Sequence, residues 1–149
     1  MRFAKEYPWL CQQIVAEAGD AIIMADREGI IRLWNKGAET IFGFGPTEAV
    51  GQSLHIIIPE NLRERHDEGF HRVMASGRSK YTRELLAVPA LRKDGARISV
   101  EFTMTLVRDQ EGLVLGAAAI IREVTARWEK EQAMKRRLAA LEAQGQKSS

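Results

Sequence analysis

Five β-rich runs, two before a helical middle and three after it, constrain this chain more than any other feature. Ala21 to Ala25 and Ile30 to Trp34 flank Asp26-Arg27-Glu28-Gly29, a hairpin signal in which Gly29 supplies the positive φ. Arg83 to Val88, Ile98 to Val107 and Leu113 to Arg122 read as three further strands. Lys93-Asp94-Gly95 and Asp109-Gln110-Glu111-Gly112 are the turns between them. Strands, then helices, then strands again predict an α+β domain with a five-stranded antiparallel sheet.

Local signals place the helices. Asn35 caps a short helix, Lys36 to Phe42, which Gly43-Phe44-Gly45-Pro46 breaks. Thr47 and Glu48 start another turn that Gly51 ends. Pro59 opens an amphipathic helix over about Glu60 to Ala75, stopped by Gly77. Its apolar positions are Leu62, Phe70, Val73 and Met74, and the four-residue steps from Leu62 to His66 to Phe70 put His66 on that face. Asp67 and Glu68 fall on the solvated side. At the N-terminus, Pro8 sits in the first turn of a helix through about Ala18. Its stripe of Trp9, Leu10, Gln13-Ile14 and Glu17-Ala18 needs a partner, either the chain's own sheet or a second copy. From Thr125 to Ala143 the residues are strong helix formers. Val124, Trp128, Glu131, Met134, Leu138 and Leu141 follow steps of three and four, which fits a two-stranded coiled coil or a tail helix docked on the sheet. Gln144 to Ser149 should fray.

Bulk properties exclude several classes. At 149 residues and 45% hydrophobic, the chain is one globular domain plus extensions. A net charge of +2 is too small to argue for nucleic acid or a membrane surface. Cys11 is the one cysteine, so no intrachain disulfide is possible, which suits a reducing compartment. The first residues lack the apolar core of a signal peptide, and the longest apolar run, Leu113 to Ile121, is far short of a membrane span. The expectation is a soluble cytoplasmic protein: residues 1–19 an N-terminal helical cap, 20–126 the domain, 127–149 a C-terminal helix and tail.

Ordered marks along Asp20 to Arg127, about two thirds of the chain, resemble the PAS domain family. They are Asp26 and Gly29, Trp34-Asn35, Ala38-Glu39, Phe42-Gly43, Glu48-Ala49-Val50-Gly51, Arg92-Lys93-Asp94-Gly95 and Arg122-Glu123-Val124-Thr125. The resemblance implies a cupped palm, with the sheet as one wall and the middle helices as the other. Such a fold holds a small molecule and shifts the flanking helices.

Within that family the chain is most similar to heme-binding sensors of the FixL and DOS type. The string Arg65-His66-Asp67 and the interval from His66 to Gly95 (95 − 66 = 29 residues) match their pattern. The resemblance implies heme b with His66 as proximal ligand, since a neutral imidazole nitrogen can bind a metal, and Arg72 near a propionate. Leu86 falls where those sensors place a distal arginine that bonds oxygen. A leucine cannot donate that bond, so oxygen should bind weakly or autoxidise the heme quickly and carbon monoxide or nitric oxide is favoured; the implied signal is a diatomic gas or redox state. Leu62, Phe70, Val100, Phe102, Met104, Ala117 and Ala119 would line the pocket. Met104 is a soft sixth ligand or a thioether gap-filler. The alternative is a PAS module that holds a small apolar ligand or none and acts by dimerisation through its terminal helices.

Other chemistries find no support. A photoactive flavin PAS domain of the LOV type needs a cysteine in an Asn-Cys-Arg string on the middle helices, and Cys11 lies outside the module. His71 is five residues from His66, so ideal helix geometry keeps the two off one metal, and His55 has no partner visible in sequence. With no catalytic constellation, the chain is expected to be a sensor and not an enzyme. It would form a homodimer through its terminal helices, and it is expected to be either a fragment of a larger sensor or a stand-alone sensor that signals to a partner in trans.

Overall fold

The computed structural model describes residues 4–79 and 84–147. Helix α1 (Tyr7–Glu17) precedes strands β1 (Ala21–Asp26) and β2 (Ile31–Trp34). Helices α2 (Lys36–Phe42) and α3 (Pro46–Ala49), two 3₁₀ turns (Leu54–Ile57 and Glu60–Leu62) and helix α4 (Arg63–Ser76) form the middle. Strands β3 (Leu86–Leu91), β4 (Arg97–Arg108) and β5 (Val114–Glu123) follow, then helix α5 (Thr125–Lys147). The five strands make one antiparallel sheet in the order β2-β1-β5-β4-β3.

Sequence and structure agree on the hairpin. Gly29 has φ +79°, and Asp26 accepts bonds from the backbone N–H of Glu28 and Ile30, both at 3.0 Å. Two boundaries differ from expectation. The helix expected from Glu60 starts as a 3₁₀ turn and becomes α-helical only at Arg63. The strand expected from Arg83 to Val88 runs from Leu86 to Leu91, and Arg83 lies outside the described residues. Pro89 is tolerated because β3 is an edge strand, where no neighbour on one side needs an N–H.

One face of the sheet is buried. Register places Leu86 beside Phe102, Phe102 beside Ile121 and Ile121 beside Ala21. The next row is Met104, Ala119, Ile23 and Trp34. Trp34, Phe42, Ile57, Ile98 and Val100 complete the main core. The Trp34 ring lies 5.6 Å from Phe42 and 6.3 Å from Phe44, and its Nε1–H donates to Phe44 O at 2.8 Å.

Asn35 joins this core to both neighbouring helices. Its Oδ1 accepts from Ile22 N at 2.8 Å and Ala38 N at 2.9 Å, the second bond being the expected N-cap of α2. Its Nδ2 donates to Val15 O at 2.8 Å and Asp20 O at 3.1 Å. The α1–β1 link passes so close that a Cβ at Gly37 would fall 2.1 Å from Asp20 O.

The terminal helices depart from expectation. The outward side of α1 carries Trp9 and Ile14, together with Gln13 and Glu17, while Leu10, Cys11, Val15 and Ala16 are half-buried. The stripe exists, but it is turned about one residue from the predicted one. Helix α5 does not dock on the sheet. Its first turn meets β4, where Val124 N–H donates to Ser99 O at 2.8 Å and Ser99 N–H to Thr125 Oγ1 at 3.0 Å. The predicted fraying does not begin at Gln144, since the helix continues to Lys147.

Asn35→Ala should lower the unfolding free energy by about 2–4 kcal/mol, because it removes a helix cap and strands buried backbone groups. Urea denaturation followed by circular dichroism measures the loss. A change below about 0.5 kcal/mol, the level of an ordinary surface substitution, would contradict the role given to this amide.

Candidate functional site: the cleft beside His66

The inner sheet face gathers most of the residues expected to line a pocket. Leu86, Val100, Phe102, Met104, Ala117 and Ala119 all project from it, as the pairing register requires. Against its lower part packs α4, through Phe70, Val73 and Met74. Met74 is buried with Val114 and Ala117, and Met104 and Leu106 pack against the same cluster. The small side chain of Ala117 therefore lets the helix approach closely. Met104 fills space in this cluster.

His66 lies one turn before Phe70, and the two rings stack at 5.8 Å with planes 22° apart. Its side chain is 33% exposed. The ring borders a cleft of about 90 Å³ lined by Glu28, Gly29, Ser53, Leu54, His55, Asp67, Phe70 and His71. The cleft separates the first half of α4 from the β1–β2 turn and the first 3₁₀ turn. A drug-sized ligand site spans roughly 300–1,000 Å³, so the cleft as packed admits only a small group. Leu62 is half-buried at the start of α4. Arg72, by contrast, is exposed and does not border the cleft. A larger groove of about 380 Å³ lies at the other end of α4, along Gly77, Arg78, Ser79, Thr105, Leu106 and Arg108. It contains none of the predicted residues. The Arg108 guanidinium there already donates to Gly77 O and Gly112 O, so the groove is better read as a structural joint than as a site.

All three histidines of the chain meet at Asp67. His55 Nε2–H donates to both carboxylate oxygens, at 2.8 and 2.9 Å. His66 Nδ1 approaches Oδ1 at 3.4 Å, and His71 Nδ1–H donates to the Asp67 carbonyl at 2.7 Å. This corrects two expectations: Asp67 is not a merely solvated acid, and His55 has a partner. The only sequence signal for the pair is a histidine and an acid twelve residues apart, too common a pattern to single out. The hydrogen bond from His55, chiefly, holds the Asp67 carboxyl below the usual carboxylate range. Burial lowers the His66 pKa, and the Asp67 carboxylate opposes that fall only in part.

A heme ligand needs a neutral imidazole whose second nitrogen is held by a hydrogen-bond acceptor. His66 meets that donor requirement: burial favours the neutral ring, and Asp67 lies on the Nδ1 side, which leaves Nε2 for a metal. The space requirement is met only if α4 and the Phe70–Met74 cluster move off the sheet. Among the described residues, no group of three or more His, Cys, Asp or Glu side chains is placed to hold a metal ion by itself.

A sheet of this order, covered by short helices on one face, is the PAS architecture. The model of the PAS fold family matches residues 10–124, and the chain belongs to that family. An uncharacterized protein of Azorhizobium caulinodans is 34% identical over 118 residues, covering 78% of this chain and 16% of that protein. The sensor protein FixL of Bradyrhizobium diazoefficiens is 48% identical over 48 residues, covering 32% of this chain and 10% of FixL. The chain thus spans a small part of the length of the curated relatives it matches. Among solved structures, the PAS domain of a Colwellia psychrerythraea protein superposes with a TM-score of 0.70 at 22% identity, over 80% of this chain and 98% of that one. The chain is a PAS sensory domain of the kind used in signal transduction. No helix among the described residues is long and apolar enough to cross a membrane.

The depressed His66 pKa has a definite sign. As pH falls through the ordinary histidine range, the unfolded chain takes up this proton before the folded one, so the group's contribution to stability declines. Asp67→Asn should lower the His66 pKa further, because it removes the interaction that raises it. Titration of the ring protons by NMR in both proteins checks this. A rise in Asp67→Asn would show that the carboxylate does not act on His66.

Proposed function

We propose that this domain senses a small ligand held between α4 and the inner sheet face, with heme b bound through His66 as the leading candidate. The donor arrangement at His66 and Asp67 carries this reading, and the FixL match supports it. His66 would hold the iron and Asp67 would orient the ring. Bound heme would supply an open coordination position for a diatomic gas. Phe70, Val100, Phe102, Met104 and Ala119 would line the apolar surround. Leu86 stands at the start of β3 on the inner face and donates no hydrogen bond, so carbon monoxide or nitric oxide is preferred to oxygen. Arg72, exposed here, would reach a propionate only after α4 moves. That movement would tie ligand occupancy to helix position, a population shift that a signalling partner can read.

The 90 Å³ cleft favours a second reading. In it, the closed conformation is the working one, and the domain takes a small ligand or none and acts through its partners.

Hemin titration separates the two. On the first reading, the purified protein takes up one equivalent of hemin and shows a Soret band that His66→Ala loses or shifts. Protein that stays colourless, or a Soret band identical in His66→Ala, removes heme ligation and leaves the second reading.

A further inference from the structure

We infer that His55 is a positioning residue: acting through the Asp67 carboxylate, it holds the His66 ring with its proton on Nδ1 and its Nε2 bare. The inference rests on the heme reading for its use, since a ring held in this way is ready to bind a metal. Helix geometry alone does not supply the contact between His66 and Asp67. Successive residues on a helix point about 100° apart and do not face each other, yet His66 Nδ1 lies 3.4 Å from Asp67 Oδ1. The group that turns the carboxylate is His55, whose Nε2–H donates to its two oxygens at 2.8 and 2.9 Å. His55 itself stands on a fixed base. Its backbone N–H donates to Ser53 Oγ at 3.1 Å, Leu54 N–H donates to Gly29 O at 3.0 Å, and Ser53 bridges to Ile30. The β1–β2 turn therefore sets where His55 sits, and His55 sets where the carboxylate points. His71 Nδ1–H does not compete for that carboxylate, because it donates to the Asp67 carbonyl at 2.7 Å.

The protons follow from the charge. The Asp67 carboxyl is held below its usual range, chiefly by the His55 bond, so at neutral pH it only accepts. Both facing ring nitrogens must then carry hydrogen, Nε2 on His55 and Nδ1 on His66, and a neutral ring leaves its other nitrogen bare. At 3.4 Å the contact between His66 and Asp67 is looser than an ordinary N–H···O bond, so a small swing of the carboxylate loses it. The side chains of His55 and Asp67 are 37% and 42% exposed, and a pair so exposed adds little to stability. Its effect is on direction rather than on folding.

Nitrogen NMR of the imidazole rings tests this in the protein without hemin, at alkaline pH where histidine is neutral. Wild type should show His66 protonated on Nδ1. His55→Ala should move that proton, at least in part, to Nε2. His55→Gln, whose amide N–H replaces the imidazole donor, should restore the wild-type pattern. Circular dichroism should find these proteins folded, and His55→Asn, whose amide is too short to reach Asp67, repeats the test if the alanine variant unfolds. Where hemin binds, its affinity should fall roughly tenfold or more in His55→Ala. Any of four results overturns the inference: His66 protonated on Nε2 in wild type, the same tautomer in wild type and His55→Ala, a change in His55→Gln as large as in His55→Ala, or equal hemin affinity in wild type and His55→Ala. If hemin nevertheless binds through His66, the heme reading stands without His55. If hemin never binds, the heme reading falls and the ring spectra alone decide the role of His55.

Discussion

The buried Asn35 side chain is the constraint on which the rest of the domain depends. A buried amide must satisfy both its acceptor and its donors. Asn35 does so by drawing the end of α1, the start of β1 and the start of α2 to one point. The crossing at Gly37 leaves no room for a side chain, so this junction has one solution. With it fixed, the inner face of β1 points at Trp34 and Phe42, and β5 and β4 extend the wall in the same register.

Residues whose signal is local are legible in the sequence alone. The turn at Gly29 needs a positive φ, the cap at Asn35 needs a short polar side chain, and alternation along β4 needs only a period of two. Together with the five β-rich runs and the order of the elements, these signals give the α+β class, the five strands and the face shared by Val100, Phe102 and Met104. Legibility fails where the answer lies in a contact between distant segments. Periodicity shows that α1 has a stripe but not which rotation the Asn35 junction imposes on it. Asp67 has the pattern of an ordinary surface acid because its partner, His55, belongs to a separate 3₁₀ turn. The 3₁₀ start before Arg63 is set by geometry around Pro59 that composition does not express.

Helix α4 holds the domain's two environments together. Its first half faces polar groups, with Asp67 tied to His55. Its second half is apolar, with Met74 against Val114 and Ala117. Separating the second half from the sheet exposes hydrophobic surface at about 25 cal/mol per Å². Any ligand that enters must replace that contact with surface of its own. An apolar, flat molecule would do so more completely than a polar one.

The attachment of α5 at Ser99 has a mechanical consequence. The helix is rooted in β4, the strand that supplies Val100 and Phe102 to the inner wall, and its residues from Ala133 to Lys147 are exposed. At a rise of about 1.5 Å per residue, its 23 residues make a rod of roughly 35 Å. A tilt of about 5° at the root swings the far end of such a rod by roughly 3 Å. A change in the wall too small to disturb the strand pairing would thus become, at the tip, a displacement comparable to the width of an atom.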